Sequence, residues 1–232
     1  MTRKLVLKDI GENVFAYYKN NKQLKTTNDN IIKVAGLSFA KRILTKLEQE
    51  QRKKNSNFIK LFFYSFDLNI KQARTITESI IKYIDTDLVC YRANEGTELE
   101  KIQKKLWDPY INFCEKHYQL NYKKIYTVMP YSQEASNKDK ILKIIDSMDK
   151  YYLTAFFFLV EITNSIIISL NIIYKNISTN IVWKACNLED EYNQIKWGLD
   201  EDFNKKLLFK KTFFIDIIKF IKIIKFKENN GK

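Results

Sequence analysis

Residues 85–122 read DTDLVCYRANEGTELEKIQKKLWDPYINFCEKHYQLNY. Thr97-Glu98-Leu99-Glu100 has the S/T-x-x-E form of a capping box. In that motif the Thr97 hydroxyl caps the amide of residue 100 and Glu100 reaches back. A helix should follow, because Leu99, Ile102 and Leu106 recur at three- and four-residue spacing on one face. Asp108-Pro109 then interrupts the pattern, since the residue before a proline avoids the α region and proline suits a first helical position. The expected result is a second helix from Pro109 to about His117, capped by Asp108. It should bury Ile111 or Tyr110, Phe113 and Cys114. One kinked helix through Pro109 is the alternative.

Upstream, short apolar runs are split by Asn and Gly: Leu5–Leu7, Val14–Tyr18, Leu24–Thr26 and Ile31–Val34, with turns at Gly11-Glu12-Asn13 and Asn20-Asn21. Such spacing predicts hairpins. At Leu37 the period changes. Leu37, Ala40, Ile43, Leu44 and Leu47 share a helical face, and the EQEQRKK tail should be solvated. Phe58–Phe66 is apolar throughout and reads as extended or irregular. Asn69–Ile84 is helical by spacing, with Ile70, Ala73, Ile76, Ile80 and Tyr83 on one face.

Downstream, a helix should begin near Lys138. Tyr151–Ile173 is the most apolar segment. Its 23 residues have the length to span a bilayer. Glu161, Asn164 and Asn171 within it are costly in hydrocarbon, so it is expected to be one central, buried bundle helix. Two short helices should cover Asn180–Ala185 and Leu188–Trp197, stopped by Gly198. Asp200, Glu201 and Asp202 then open a long final helix whose apolar side is Leu207, Leu208, Phe214, Ile217, Ile218, Ile221 and Ile224. The fold class is therefore α+β, a small N-terminal β domain with one helix (1–56) and a larger helical domain (57–232).

The chain has 232 residues, 45% of them hydrophobic and 14% aromatic. That is a globular composition with ample chain for a core. The net charge of +13 fits nucleic acid or an anionic membrane surface. The favoured reading is a chain in which Lys, Asn, Ile and Tyr are inflated together, as an AT-rich genome produces, because the lysines are spread along the chain. Cys90, Cys114 and Cys186 have no metal-like spacing, and His117 is the single histidine. The expectation is no metal, buried free thiols and a reducing compartment. The first residues, with no apolar core followed by small residues, are not expected to be a signal peptide and make a poor transit peptide. No phosphate-cradling glycine loop and no GxSxG elbow occurs. Glu161, inside an apolar helix, is the one candidate for an acid with a raised pKa. The competing reading makes it a buried partner of Lys or Arg, such as Arg92. The chain is accordingly not expected to be an enzyme, and no cofactor is expected.

Asp85, then Leu88, Cys90-Tyr91-Arg92-Ala93, Gln103 and Trp107-Asp108-Pro109 together resemble the signature of the F-type ATP synthase assembly chaperones (the assembly factor two family) that bind the newly made alpha subunit. Leu188-Glu189-Asp190-Glu191-Tyr192 and Trp197-Gly198 resemble that family's acidic run and closing Trp-Gly. Leu24-Lys25-Thr26 through Ala40 is a weaker third block, with Thr27 where the family has proline. Ile195 stands where the family usually carries a glutamate, so that acid is either lost here or replaced by Glu191. The resemblance implies a non-catalytic chaperone that shields the alpha subunit until beta subunits replace it, and the chain is expected to be a monomer. It places the protein in a bacterial cytoplasm or, alternatively, a mitochondrial matrix. It implies signature or client-binding roles for Tyr91, Arg92, Trp107, Asp108, Pro109, Glu191, Trp197 and Gly198. Arg92 and Trp107 are further expected to lie close together, at the junction of the β and helical parts. The rival function is a basic nucleic-acid-binding protein. No nucleic acid and no membrane span is expected under the leading reading.

Overall fold

The computed structural model describes residues 4–53, 55–175, 177–198 and 201–229. The chain divides into two compact units. One holds the chain up to Lys71, Asp149–Ala155 and the chain from Asp216 onward; the other holds Gln72–Met148 and Phe156–Ile215. The α+β expectation holds, with short antiparallel strands followed by helices. Positions 1–3 and Asp200, on which two of the expectations bear, lie outside the described residues.

The first unit contains the sheet. β1 (Leu5–Asp9) pairs antiparallel with β2 (Val14–Lys19), from Leu5 opposite Lys19 to Asp9 opposite Phe15. β3 (Lys22–Gln23) and β4 (Lys33–Ala35) also pair with β2. The third strand thus lies just before Leu24–Thr26, whose Lys25 makes only an isolated bridge to Ile31. The reason is the turn. Asn20 and Asn21 take φ of 53° and 61°, which closes a two-residue hairpin and starts the return strand at once.

β2 buries three consecutive residues, Phe15, Ala16 and Tyr17. The Tyr17 hydroxyl donates to the Ala40 carbonyl of α1 (Leu37–Glu50) at 3.1 Å. α1 buries Phe39, Ala40, Ile43 and Leu47, whereas Leu37 is exposed. Its end is not fully solvated. Glu50 is buried, with Lys46 and Lys53 at 2.7 and 2.9 Å and the Ser56 hydroxyl at 2.8 Å. Burial alone would raise its carboxyl, but these three donors prevail and hold it down to about 2.

The ambiguous run at 58–66 is a helix, α2 (Asn57–Asp67). The Ser56 hydroxyl accepts from the Ile59 amide at its start, and Phe58, Leu61, Phe62 and Ser65 are buried at helical spacing. Phe62 stacks on Tyr151 at 5.9 Å and Phe58 meets Phe220 edge-on at 5.7 Å. Aromatic residues all round the run hid its period from the sequence.

The second unit is helical. α3 (Ile70–Ile81) buries Ile76 and Ile80 but leaves Ile70 exposed. A 3-10 turn at Leu88–Cys90 leads to α4 (Glu98–Tyr118), one continuous helix with Pro109 inside it. Of the two sequence readings, the single helix is the one realised. A proline inside a helix costs about 3 kcal/mol. Against that cost stands a buried stripe running through the break: Glu100, Gln103, Trp107, Tyr110, Ile111 and Cys114. Asp108 caps nothing, because its carboxylate is engaged elsewhere.

α5 (Ser136–Asp146) follows, and then the apolar segment, which is two helices, not one. α6 (Lys150–Thr163) and α7 (Ile166–Tyr174) are separated by Asn164, at φ 52°, and by Ser165, whose hydroxyl accepts from the Ile168 amide at 3.0 Å. Every residue of α7 from Ile166 to Ile173 is buried. No described helix is long and apolar enough to cross a membrane. α8 (Thr179–Cys186) and α9 (Leu188–Trp197) match their expected positions, with Gly198 at φ 94° closing α9. In α10 (Glu201–Asn229), Phe214, Ile217, Ile218, Ile221 and Ile224 are buried as expected, but Leu208 is exposed.

Candidate functional site

The stretch quoted first builds the site. The Thr97 hydroxyl caps the Glu100 amide at 3.3 Å, as expected. Glu100, however, reaches back to the amide of Gly96 and binds Lys104 at 2.7 Å. These bonds, led by Lys104, hold its carboxyl below the usual range. Tyr91 and Ile125 form an isolated parallel bridge. The Arg92 amide donates to the Ile125 carbonyl and the Ile125 amide to that of Cys90, each at 2.8 Å.

Gln103, buried on α4, joins these segments to α9. Its carbonyl accepts from the Ala93 amide at 2.8 Å and its amide donates to Glu189 at 2.7 Å. Burial raises the Glu189 carboxyl, the Gln103 bond opposes that rise and Asp190 adds to it. Between the three walls lies an open cleft of about 780 Å³. Tyr91, Tyr126 and Tyr192 line it together with Leu99, Val128 and Lys196. Val128 is 97% exposed and the next residue, Met129, is 66% exposed. The cleft therefore combines three tyrosines and an uncovered apolar lip with three charged side chains, Arg92, Glu189 and Lys196.

The expected site residues fall into three groups. Arg92, Trp107 and Asp108 come together, and Arg92 also lines the cleft. The Arg92 guanidinium lies 5.3 Å from the Trp107 ring and its Nη2 is 2.9 Å from Asp108 Oδ1; its Nε donates to the Val89 carbonyl at 2.9 Å. Trp107 is fully buried and donates to the Ala185 carbonyl at 2.8 Å. Lys124 holds the other Asp108 oxygen at 2.7 Å. Arg92 and Trp107 are thus close, as expected, and both belong to the second unit. Pro109 follows within α4. Tyr91 faces the cleft and its hydroxyl donates to the Asp85 carbonyl at 2.8 Å.

Glu191, Trp197 and Gly198 do not join that cluster. Glu191 sits half-buried in the first turn of α9, whereas Trp197 is 84% exposed at its end. Glu161 is a correction. It is exposed, accepts from the Tyr83 hydroxyl at 3.3 Å and has no part in the Arg92 pair. The sequence reading missed Tyr126, Val128 and Lys196, and named Tyr192 only within the second block of the resemblance. The aromatic spacing on α9 was a usable sign for Tyr192, but nothing local marks residues 126–128. All three cysteines are buried and free.

Residues 7–115 match the model of the ATP12 chaperone protein family. The match covers just under half of the chain and shows a similarity to that chaperone family over those residues. The fold of the ATP12 proteins extends well past the matched residues. A crystal structure of Atp12 from Paracoccus denitrificans superposes with a TM-score of 0.82 at 19% identity, covering 96% of this chain and 97% of that one. A point mutant of P. denitrificans Atp12p gives 0.84 at 19% identity, with 96% of each chain covered. The Atu1473 protein of Agrobacterium tumefaciens gives 0.83 at 17% identity, covering 96% of this chain and 84% of that one.

Proposed function

We propose that this chain holds the unassembled alpha subunit of ATP synthase until beta subunits take its place. The ATP12 family match is the observation that carries the reading. The physical logic is direct. A subunit awaiting its neighbours exposes an apolar interface and aggregates, and a chaperone that covers the patch prevents this. The cleft and its Val128–Met129 lip supply an uncovered apolar surface beside the signature residues Tyr91 and Arg92. Covering needs no bond making, so the reading assigns no catalytic group and no cofactor. The lysine excess speeds encounter with an acidic client more than it sets affinity. The place of action is wherever free alpha subunit occurs, a bacterial cytoplasm or a mitochondrial matrix.

The test is light scattering with purified subunits. Alpha subunit alone should aggregate, stay dispersed with this protein in the absence of nucleotide, and release it when beta subunit is added. Val128→Asp should weaken the protection while leaving the thermal transition in place. Unchecked aggregation would overturn the proposal. If it came with tight, salt-sensitive binding to single-stranded nucleic acid, the basic binding reading would replace it.

A further inference from the structure

Two walls of the cleft differ in charge from the rest of the chain. The net charge is +13, yet residues 93–100 and 188–196 hold six acids, Glu95, Glu98, Glu100, Glu189, Asp190 and Glu191, against one base, Lys196. Among the described residues Glu100 alone of the six has an ion pair, to Lys104 at 2.7 Å. The lysine excess of the chain leaves the other five unpaired.

Of these acids only Glu189 lines the cleft. It is half-buried, its Oε1 accepts from Gln103 at 2.7 Å, and no described residue donates to its Oε2. Burial and Asp190 both disfavour its charge, and an arriving cation offsets both. Tyr91, Tyr126 and Tyr192 line the same space. The Tyr91 hydroxyl is taken by the Asp85 carbonyl and the Tyr126 hydroxyl by Glu100 at 3.5 Å, so these two offer a ligand chiefly ring surface. Lys196 shows that such a ring takes a cation: its ammonium lies 4.6 Å from the Tyr192 centroid and pairs with no acid. The Arg92 side chain is fully enclosed and paired with Asp108 at 2.9 Å, so its charge is not offered to the cleft.

We propose that the cleft receives an arginine or lysine side chain of a polypeptide client, its cation seated among Tyr91, Tyr126 and Tyr192 and paired with Glu189. Aromatic rings attract a cation through their quadrupole, most strongly when water is displaced. The free carboxylate oxygen adds a charge-assisted hydrogen bond and fixes where the cation ends. Val128, 97% exposed at the lip, gives an apolar residue beside the cation a seat that a free amine would leave empty. An acidic side chain or a nucleic-acid phosphate would instead meet walls carrying five unpaired acids, and like charges brought together disfavour the wrong partner. The proposal rests on the chaperone reading and names the client chemistry of the same site. The net positive charge acts at a distance on an acidic client, whereas the local negative charge selects the segment that enters.

The experiment titrates the full chain into end-blocked, labelled Ala-Leu-Arg-Leu-Ala and its versions with Lys, norleucine or Glu at the centre, read by fluorescence anisotropy. Light scattering with alpha subunit is run on the same variants. The Arg and Lys peptides should bind, and the norleucine and Glu peptides about tenfold more weakly or worse. Glu189→Gln keeps an acceptor for Gln103 and should weaken the Arg peptide about tenfold. Tyr192→Leu should weaken it several-fold, and Tyr192→Phe should recover most of that loss, because the ring holds the cation. Lys196→Met should tighten the Arg peptide by removing a competing like charge; a cleft built for acids gives the opposite order. Equal binding of the Arg and norleucine peptides, no binding of either, or an Arg peptide indifferent to Glu189→Gln overturns the proposal. If alpha subunit is still protected in that case, the chaperone reading stands without it. Glu189-dependent binding of the Arg peptide with no protection of alpha subunit has the reverse meaning: the cleft takes a cation, from a different client, and the chaperone reading falls.

Discussion

Replacing Arg92 by Ala separates packing from recognition at the centre of the signature. The Arg92 side chain is fully enclosed. Its removal takes away the Nε bond to the Val89 carbonyl, and a buried acceptor left unpaired costs about 1–3 kcal/mol. It also breaks the pair with Asp108. Breaking a buried pair costs about 3–5 kcal/mol when the partner is stranded. Asp108 is not stranded, because Lys124 remains at 2.7 Å and the carboxylate is 24% exposed. The pair therefore contributes well below that range, and the total is about 3–4 kcal/mol. In a chain of this length 1 kcal/mol moves the melting temperature by about 2–4 °C, so the expected drop is about 6–16 °C. Circular dichroism melting and calorimetry measure it. Arg92→Lys should recover part of the loss, since it restores the charge but not the fork that reaches Val89 and Asp108 together. A melt within about 2 °C of wild type, with client protection lost, would refute the packing account and make Arg92 a contact residue.

Two further outcomes follow from buried titratable groups. Asp87 is fully buried against the start of α7, accepting from the Ser165 hydroxyl at 2.6 Å and the Ile167 amide at 3.0 Å. Burial pushes its carboxyl up to about 6 from 3.8, despite those bonds. A carboxyl raised in the folded state holds its proton more tightly there than in the unfolded chain. Its contribution therefore strengthens the fold as pH falls from 6 towards 3.8 and is lost as pH rises through 6. An infrared carboxyl band titrating near pH 6 in the wild type, and missing in Asp87→Asn, is the expected signature; titration near 4 would refute it. Cys90, Cys114 and Cys186 are buried, and burial raises all three thiols. An aromatic disulfide reagent should find no reactive thiol in the native protein and three after unfolding. Rapid labelling of one under native conditions would show that its helix opens.

The features legible in the sequence are those set within about one helical turn. Thr97 marks the start of α4, because a hydroxyl three residues before an amide is a local geometry. Gly198 marks the end of α9 for the same kind of reason. Asn20-Asn21 closes a hairpin because both residues tolerate positive φ. Amphipathic spacing placed α1, α3 and α8 through α10, since one wet face leaves a period to read. Where no face is wet the period disappears, and that is where the reading failed. α2 is aromatic all round. α6 and α7 merged into one run, although Asn164-Ser165 divides them. The division is stabilised by Asp87, 78 residues away from Ser165 along the chain. Pro109 continues α4 because residues on both sides of it are buried by other helices. Arg92 chose Asp108 and Lys124 supported the choice, while Glu161 turned out to water. Local capping and periodicity are properties of neighbouring residues and were open to the sequence alone. Which carboxylate is buried, which arginine it meets and which apolar residues stay exposed depend on desolvation by distant segments, and only the tertiary structure decided them.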